Sequence, residues 1–179
     1  MAGFAVLIAA AYAAVAGSSA ALAQLGYDRP GGDYLSAAVE NGDPAVCAAR
    51  CEHDARCRSW SFSYPPAGGG PAMCFLKHTV MPRAKSNCCV SGVRGAGVIE
   101  PRLGDLEYAI DRVGGDYRSF ETAPDPRGKP CAEACRADQH CRAFTYRRPG
   151  YGTAAAHCSL KNVIKPPHRR PCCISGVVR

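Results

Sequence analysis

Residues 47–60 read CAARCEHDARCRSW, and residues 131–144 read CAEACRADQHCRAF. In each stretch two Cys stand four apart, a spacing that puts both on one face of a helix. Ahead of the first pair, Asp43-Pro44 supplies an N-cap followed by Pro at the first helical position, and predicts a helix running to about Asp54. In the second copy Pro130 sits one place before Cys131, so that helix starts later and its cap is less clear. Past the third Cys the period changes. From Cys57 to Tyr64 aromatic residues alternate with Ser at period two, the pattern of a strand, and Phe144 and Tyr146 hold the equivalent places further on. Trp60 and Phe62 are expected in a core, because one face of the sheet must cover the helix.

Working outward, the twelve Cys fall at 47, 51, 57, 74, 88 and 89, then at 131, 135, 141, 158, 172 and 173, every one displaced by 84 residues. Asp54 and Asp138, Arg58 and Arg142, Leu76-Lys77 and Leu160-Lys161, Pro82 and Pro166 keep the same register, as do Ser91-Gly92-Val93 and Ser175-Gly176-Val177. The opening DRPGGDY at 28–34 returns as DRVGGDY at 111–117, one residue out of step. Such self-similarity marks a duplication. The boundaries it sets are a first unit at 27–95, a linker at 96–107 and a second unit at 108–179. A short first strand through Asp33-Tyr34 and Asp116-Tyr117, strands at Cys74-Leu76 and Cys89–Val93, and Pro/Gly loops between them complete each unit.

A unit of this size buries only about 60% of its unfolded surface, so its core alone is marginal. Each disulfide typically adds about 2–4 kcal/mol, comparable with the net stability of a small domain. Cys oxidise outside the cytosol, and the N-terminus is consistent with export. Phe4 to Ala16 is apolar and uncharged, and Ala21-Leu22-Ala23 forms an A-x-A cleavage site before Gln24, so residues 1–23 read as a signal peptide. No Lys or Arg precedes the apolar run, and an uncleaved anchor is the alternative. The expected location is secreted or periplasmic.

The motif C-A-x-x-C-x-x-D-x-x-C-R-x-W, with DRPGGDY before it and C-x-L-K at 74–77 after it, resembles the PAN/Apple domain, and the closing CCVSGV and CCISGV resemble its bacterial branch. The resemblance covers nearly all of the chain after the leader, twice. It implies an α+β fold of two tandem small disulfide-rich domains, each a curved antiparallel sheet cradling one α-helix. It also implies bridges Cys47–Cys74 and Cys51–Cys57, then Cys131–Cys158 and Cys135–Cys141; sequence alone leaves 15 connectivities for six Cys. Apple domains add a bridge between their terminal strands, but here no Cys precedes Cys47 in its unit. Each unit ends instead in adjacent Cys, Cys88-Cys89 and Cys172-Cys173. Neighbouring Cα atoms stand about 3.8 Å apart, below the usual disulfide range. A strained bridge within each pair, a link between units, or thiols that join chains all remain open. Oxidation within each pair is the expectation, since each unit then closes its own Cys count.

PAN/Apple domains generally bind proteins or carbohydrates, and the residues point the same way. None of His53, His78, His140, His157 and His168 is repeated in the other unit, which leaves no duplicated catalytic or metal constellation. C-x3-C-x5-C lacks the second C-x2-C pair of a zinc site, and the Gly-Gly motifs do not fit a phosphate-binding loop. No enzyme activity, cofactor or metal is expected. The formal charge of +7 is uneven. Residues 27–95 hold eight Lys/Arg against six Asp/Glu, whereas residues 108–179 hold thirteen against six. The excess sits at Arg147, Arg148, Lys165, Arg169 and Arg170, a cluster suited to sulfated, phosphorylated or carboxylated glycans. The expected function is an exported binding or adhesion module for a surface glycan or protein, with no nucleic acid and, after cleavage, no membrane partner. The alternative is an envelope protein with redox-active or chain-linking Cys-Cys pairs.

Overall fold

The computed structural model describes residues 22–98 and 102–179. The expected leader, except for its last two residues, lies outside the described residues. The first unit runs β1 (Gln24–Asp28), β2 (Asp33–Val39), α1 (Pro44–His53), β3 (Ser59–Ser63), β4 (Ala72–Lys77) and β5 (Ala84–Val93). The second runs β6 (Arg102–Leu103), β7 (Leu106–Asp111), β8 (Asp116–Thr122), α2 (Lys129–Ala137), β9 (Ala143–Arg147), β10 (Ala156–Lys161) and β11 (His168–Val177). Both sheets are antiparallel, in the orders β1-β5-β3-β4-β2 and β6-β7-β11-β9-β10-β8. The architecture is α+β, two disulfide-rich domains that each pack one helix on the two strands at the middle of the repeat.

The aromatic strand lies at the centre of each sheet, and Trp60, Phe62 and Phe144 are fully buried. Ser59 and Ser61, which alternate with them, are buried too, so β3 is covered on both faces. The cover on the far side is the DRxGGDY turn. Arg29 donates from its backbone N to Ser61 Oγ and from Nη1 to the carbonyl of Met81. Arg112 does the same with Thr145 Oγ1 and the Lys165 carbonyl, and also pairs with Glu107 at 2.9 Å. The repeated Lys of C-x-L-K closes this layer. Lys77 and Lys161 are 2% and 1% exposed, and pair with Asp33 at the start of β2 and Asp116 at the start of β8. Gly-Gly is required because Gly32 and Gly115 turn the chain at φ +71° and +74°. Gly92 and Gly176 serve closeness instead, since a Cβ there would lie 2.9 Å from the Trp60 ring and 2.7 Å from the Phe144 ring.

The short β6, inside the stretch expected as a linker at 96–107, went unread in the sequence and pairs with β7. Two longer strands, β1 and β7, went unread too. Each pairs with the closing strand of its unit across a register shift, at Gly26 in β1 and between Arg169 and Ile174 opposite β7. The shift breaks the period-two pattern by which strands are found. β5 and β11 are also longer than the CCxSGV core, reaching back to Ala84 and His168.

Cys47 is bonded to Cys74 and Cys51 to Cys57, with Cys131–Cys158 and Cys135–Cys141 in the second unit. Both helix Cys of each unit are fully buried, so each helix is tied to the sheet through its inward face. Cys88–Cys89 and Cys172–Cys173 are bonded within each pair, at Cα separations of 3.7 Å.

Candidate functional site

The two units share a seam. Leu25 of β1 packs against both cores, and Tyr151 of the second unit packs on the first core while its hydroxyl donates to the Gly42 carbonyl. Arg169 Nη1 reaches Asp43 Oδ2 at 2.8 Å. Asp43 is also the N-cap of α1, accepting from Ala45 N at 2.9 Å. Burial works against the charge of Asp43, but the hydrogen bonds from Arg169 and Ala45 prevail and hold its pKa below the ordinary value.

Beside these contacts lies a cleft of about 300 Å³, walled by Tyr64, Pro65 and Pro66 of the first unit and by Pro126, Tyr146 and Pro149 of the second. Arg148 forms its floor. Its guanidinium carbon stands 4.3 Å from the Tyr64 ring centroid, and its Nη1 donates to the Pro126 carbonyl at 3.1 Å. Arg148 is 4% exposed, and its Nε is a buried donor with no partner among the described residues. Tyr146 accepts from Asp125 N at 2.9 Å, and burial raises its pKa, so it remains a neutral phenol. Cys88 lies exposed at the rim. Such a cleft offers flat apolar faces, a cation and a few directed polar groups, the composition of a recognition site.

The structure divides the five residues expected to bind an acidic ligand. Arg148 and Arg169 are drawn into the seam and engaged there. Arg170 approaches Asp111 at 3.7 Å while remaining 58% exposed. Arg147 and Lys165 project from the surface. Sequence reasoning missed the contribution of the first unit altogether. Tyr64 and the Pro65-Pro66 loop read as a strand end and a turn, and nothing local marks them as facing a second domain. Among the described residues no three His, Cys, Asp or Glu side chains gather as a metal site.

A family model described as PAN domain matches residues 27–77 and 110–161. Among solved structures, the two N-terminal apple domains of Toxoplasma gondii microneme protein 4, known as a solution ensemble, are similar at 18% identity. That match covers 87% of this chain and 88% of that one, with a TM-score of 0.31. No curated protein matches. The family match falls once on each copy of the duplication and takes in both helices with the aromatic strands behind them; this chain therefore belongs to the PAN domain family, with two domains in tandem.

Proposed function

We propose that the chain is an exported, non-catalytic recognition module whose ligand, an acidic surface glycan, docks in the cleft between its two domains. PAN domains are generally protein- or carbohydrate-binding modules, and the cleft carries the choice of place. It is built by both domains and lined by Tyr and Pro faces over a buried guanidinium. Sugar rings pack their apolar faces on such surfaces, while Arg matches carboxylate and sulfate groups. The excess of Lys and Arg in the second domain supports an acidic ligand, with Arg147, Lys165 and Arg170 exposed to meet it and Arg148 and Arg169 shaping the site.

Six disulfides fit an oxidising, extracellular or periplasmic setting. Cleavage before Gln24 would release the chain at the first residue of β1. Among the described residues no helix is long and apolar enough to cross a membrane.

The test is a glycan and surface-protein array probed with the full chain and with Ala67→Trp. Ala67 is exposed at the cleft mouth, and an indole there blocks entry without touching either core. Loss of the array signal in the variant is expected. Undiminished binding by Ala67→Trp would place the ligand elsewhere.

A further inference from the structure

The two domains meet through equivalent surfaces. Tyr64 stands seven residues after Cys57 and Arg148 seven after Cys141, and these two counterparts touch. Contact between equivalent residues marks an isologous interface, in which every i–j contact has a j–i partner. One such contact is the ion pair of Arg169 with Asp43. Arg169 lies three residues before Cys172, and its counterpart three before Cys88 is Lys85. Asp43 lies four residues before Cys47, and its counterpart four before Cys131 is Arg127. The mirrored contact therefore sets Lys85 against Arg127, two cations where the other side has an ion pair.

The structure places both in one pocket of about 280 Å³ at the seam, together with Lys129. All three side chains are exposed, and among the described residues none has an ion-pair partner. Arg83, whose guanidinium carbon lies 5.2 Å from the ring of pocket-lining Tyr27, adds to the positive field. The single acid here is Asp125. Its Oδ1 accepts from the backbone N of Arg127 at 2.8 Å and of Lys129 at 3.0 Å, in place of the cap that Asp43 supplies to α1. In the second domain the acid stands two residues nearer the N-terminus, and an Arg stands where it was.

We propose that this pocket is an anion site, in which Lys85 of the first domain and Arg127 of the second together hold a sulfate or carboxylate group of the ligand. The inference rests on the seam as the ligand site and gives that ligand its chemistry. A guanidinium fork pairs with two oxygens of such a group, and Lys supplies a point charge from the other side. A glycan is favoured over an acidic peptide because the pocket shares Asn87, Asp125 and Pro126 with the Tyr- and Pro-walled cleft. One trough thus presents ring-sized apolar faces at one end and cations at the other.

The test is calorimetric titration of the full chain with a sulfated uronate-containing tetrasaccharide, its neutral desulfated and carboxyl-reduced counterpart, and oligoglutamate. The sulfated probe should bind, more weakly as salt rises because exposed charges are screened. Lys85→Ala with Arg127→Ala should weaken it by about tenfold or more, as expected when charge-assisted bonds are removed. Arg142→Ala, which removes a cation ahead of β9, should leave the affinity unchanged. Arg127→Asp recreates the Asp43–Arg169 arrangement with Lys85. It should abolish binding of the sulfated probe while raising Tm, which shows that the variant folds. No binding of the sulfated probe, affinity indifferent to both variants, or tighter binding of oligoglutamate would each overturn the proposal. If the neutral probe binds and Ala67→Trp removes that binding while the charge variants have no effect, the anion site fails and the cleft stands. If Ala67→Trp also changes nothing, both fail.

Discussion

Arg148 lies over the ring of Tyr64, its own counterpart in the other domain, and is 4% exposed there. A guanidinium is removed from water only where something compensates it. Here the ring face and the Pro126 carbonyl do so, both at the seam. With Leu25 packed on both cores, the seam behaves as interior rather than as a loose meeting of surfaces.

The pair is therefore expected to couple energetically. A double-mutant cycle with Tyr64→Leu and Arg148→Met, followed by denaturant unfolding of the full chain, should return an interaction energy of about 1–2 kcal/mol, the range for a desolvated cation–π contact. Additive single effects would mean that the two residues touch without holding the domains together.

The two kinds of helix bridge should differ in worth. Cys47–Cys74 closes a separation of 27 residues and Cys51–Cys57 one of 6. A longer closed loop restrains the unfolded chain more, so removing the first bridge should cost about 3–4 kcal/mol and the second about 2 kcal/mol. Double Cys→Ala variants measured by urea unfolding give the order. A larger loss from the short bridge would show that packing around Cys51 outweighs chain entropy.

Among the twelve Cys, the exposed member of a vicinal pair should react first. Cys88 is exposed, Cys172 half-buried, and the helix Cys fully buried. Thiol–disulfide exchange needs access to the sulfur under attack. Mild reduction followed by alkylation and peptide mapping should label Cys88 and Cys89 ahead of all others. Equal labelling of the helix bridges would mean that the whole domain opens before the pair does.

Much of each domain was legible because its signals are local. The i, i+4 Cys, the Asp43-Pro44 start and the period-two aromatics each lie within a dozen residues, and the duplication repeats the Cys spacing and the aromatics in a second context. What escaped was non-local. β1 is read only through its partner β5, past the irregularity at Gly26. The five-residue basic cluster counted charges without knowing that Arg148 would lie over the ring of Tyr64 and Arg169 against Asp43, 126 residues away. Lys85 and Arg127 were equally visible as residues, but their meeting depends on how the domains face each other, which neither domain's own sequence encodes.

Both ends of the pH range should act through one repeated contact. Tyr34 donates to Asp54 at 2.8 Å and Tyr117 to Asp138 at 2.7 Å, tying β2 to the end of α1 and β8 to the end of α2. Hydrogen bonds from Arg56 and Tyr34 hold the Asp54 carboxyl well below its ordinary 3.8, and bonds from Tyr117 and the His140 backbone lower Asp138. A carboxylate with a depressed folded pKa contributes fully above its unfolded value and loses that contribution as pH falls through the folded one. Stability should therefore begin to decline below about pH 4, near the unfolded carboxylate value. Asp43 adds its share at the seam. The Tyr partners have the opposite sign. Desolvation and the Asp138 bond push Tyr117 up to about 12, from an ordinary 10.0. A raised folded pKa gives stability that is complete below the unfolded value and is lost as pH rises through the folded one. Tm should thus fall again between about pH 10 and 12. Asp138→Asn with Tyr117→Phe should flatten part of both limbs, measured as Tm across pH 2–12 on the full chain. Unchanged limbs in that variant would remove this contact as the source of the pH dependence.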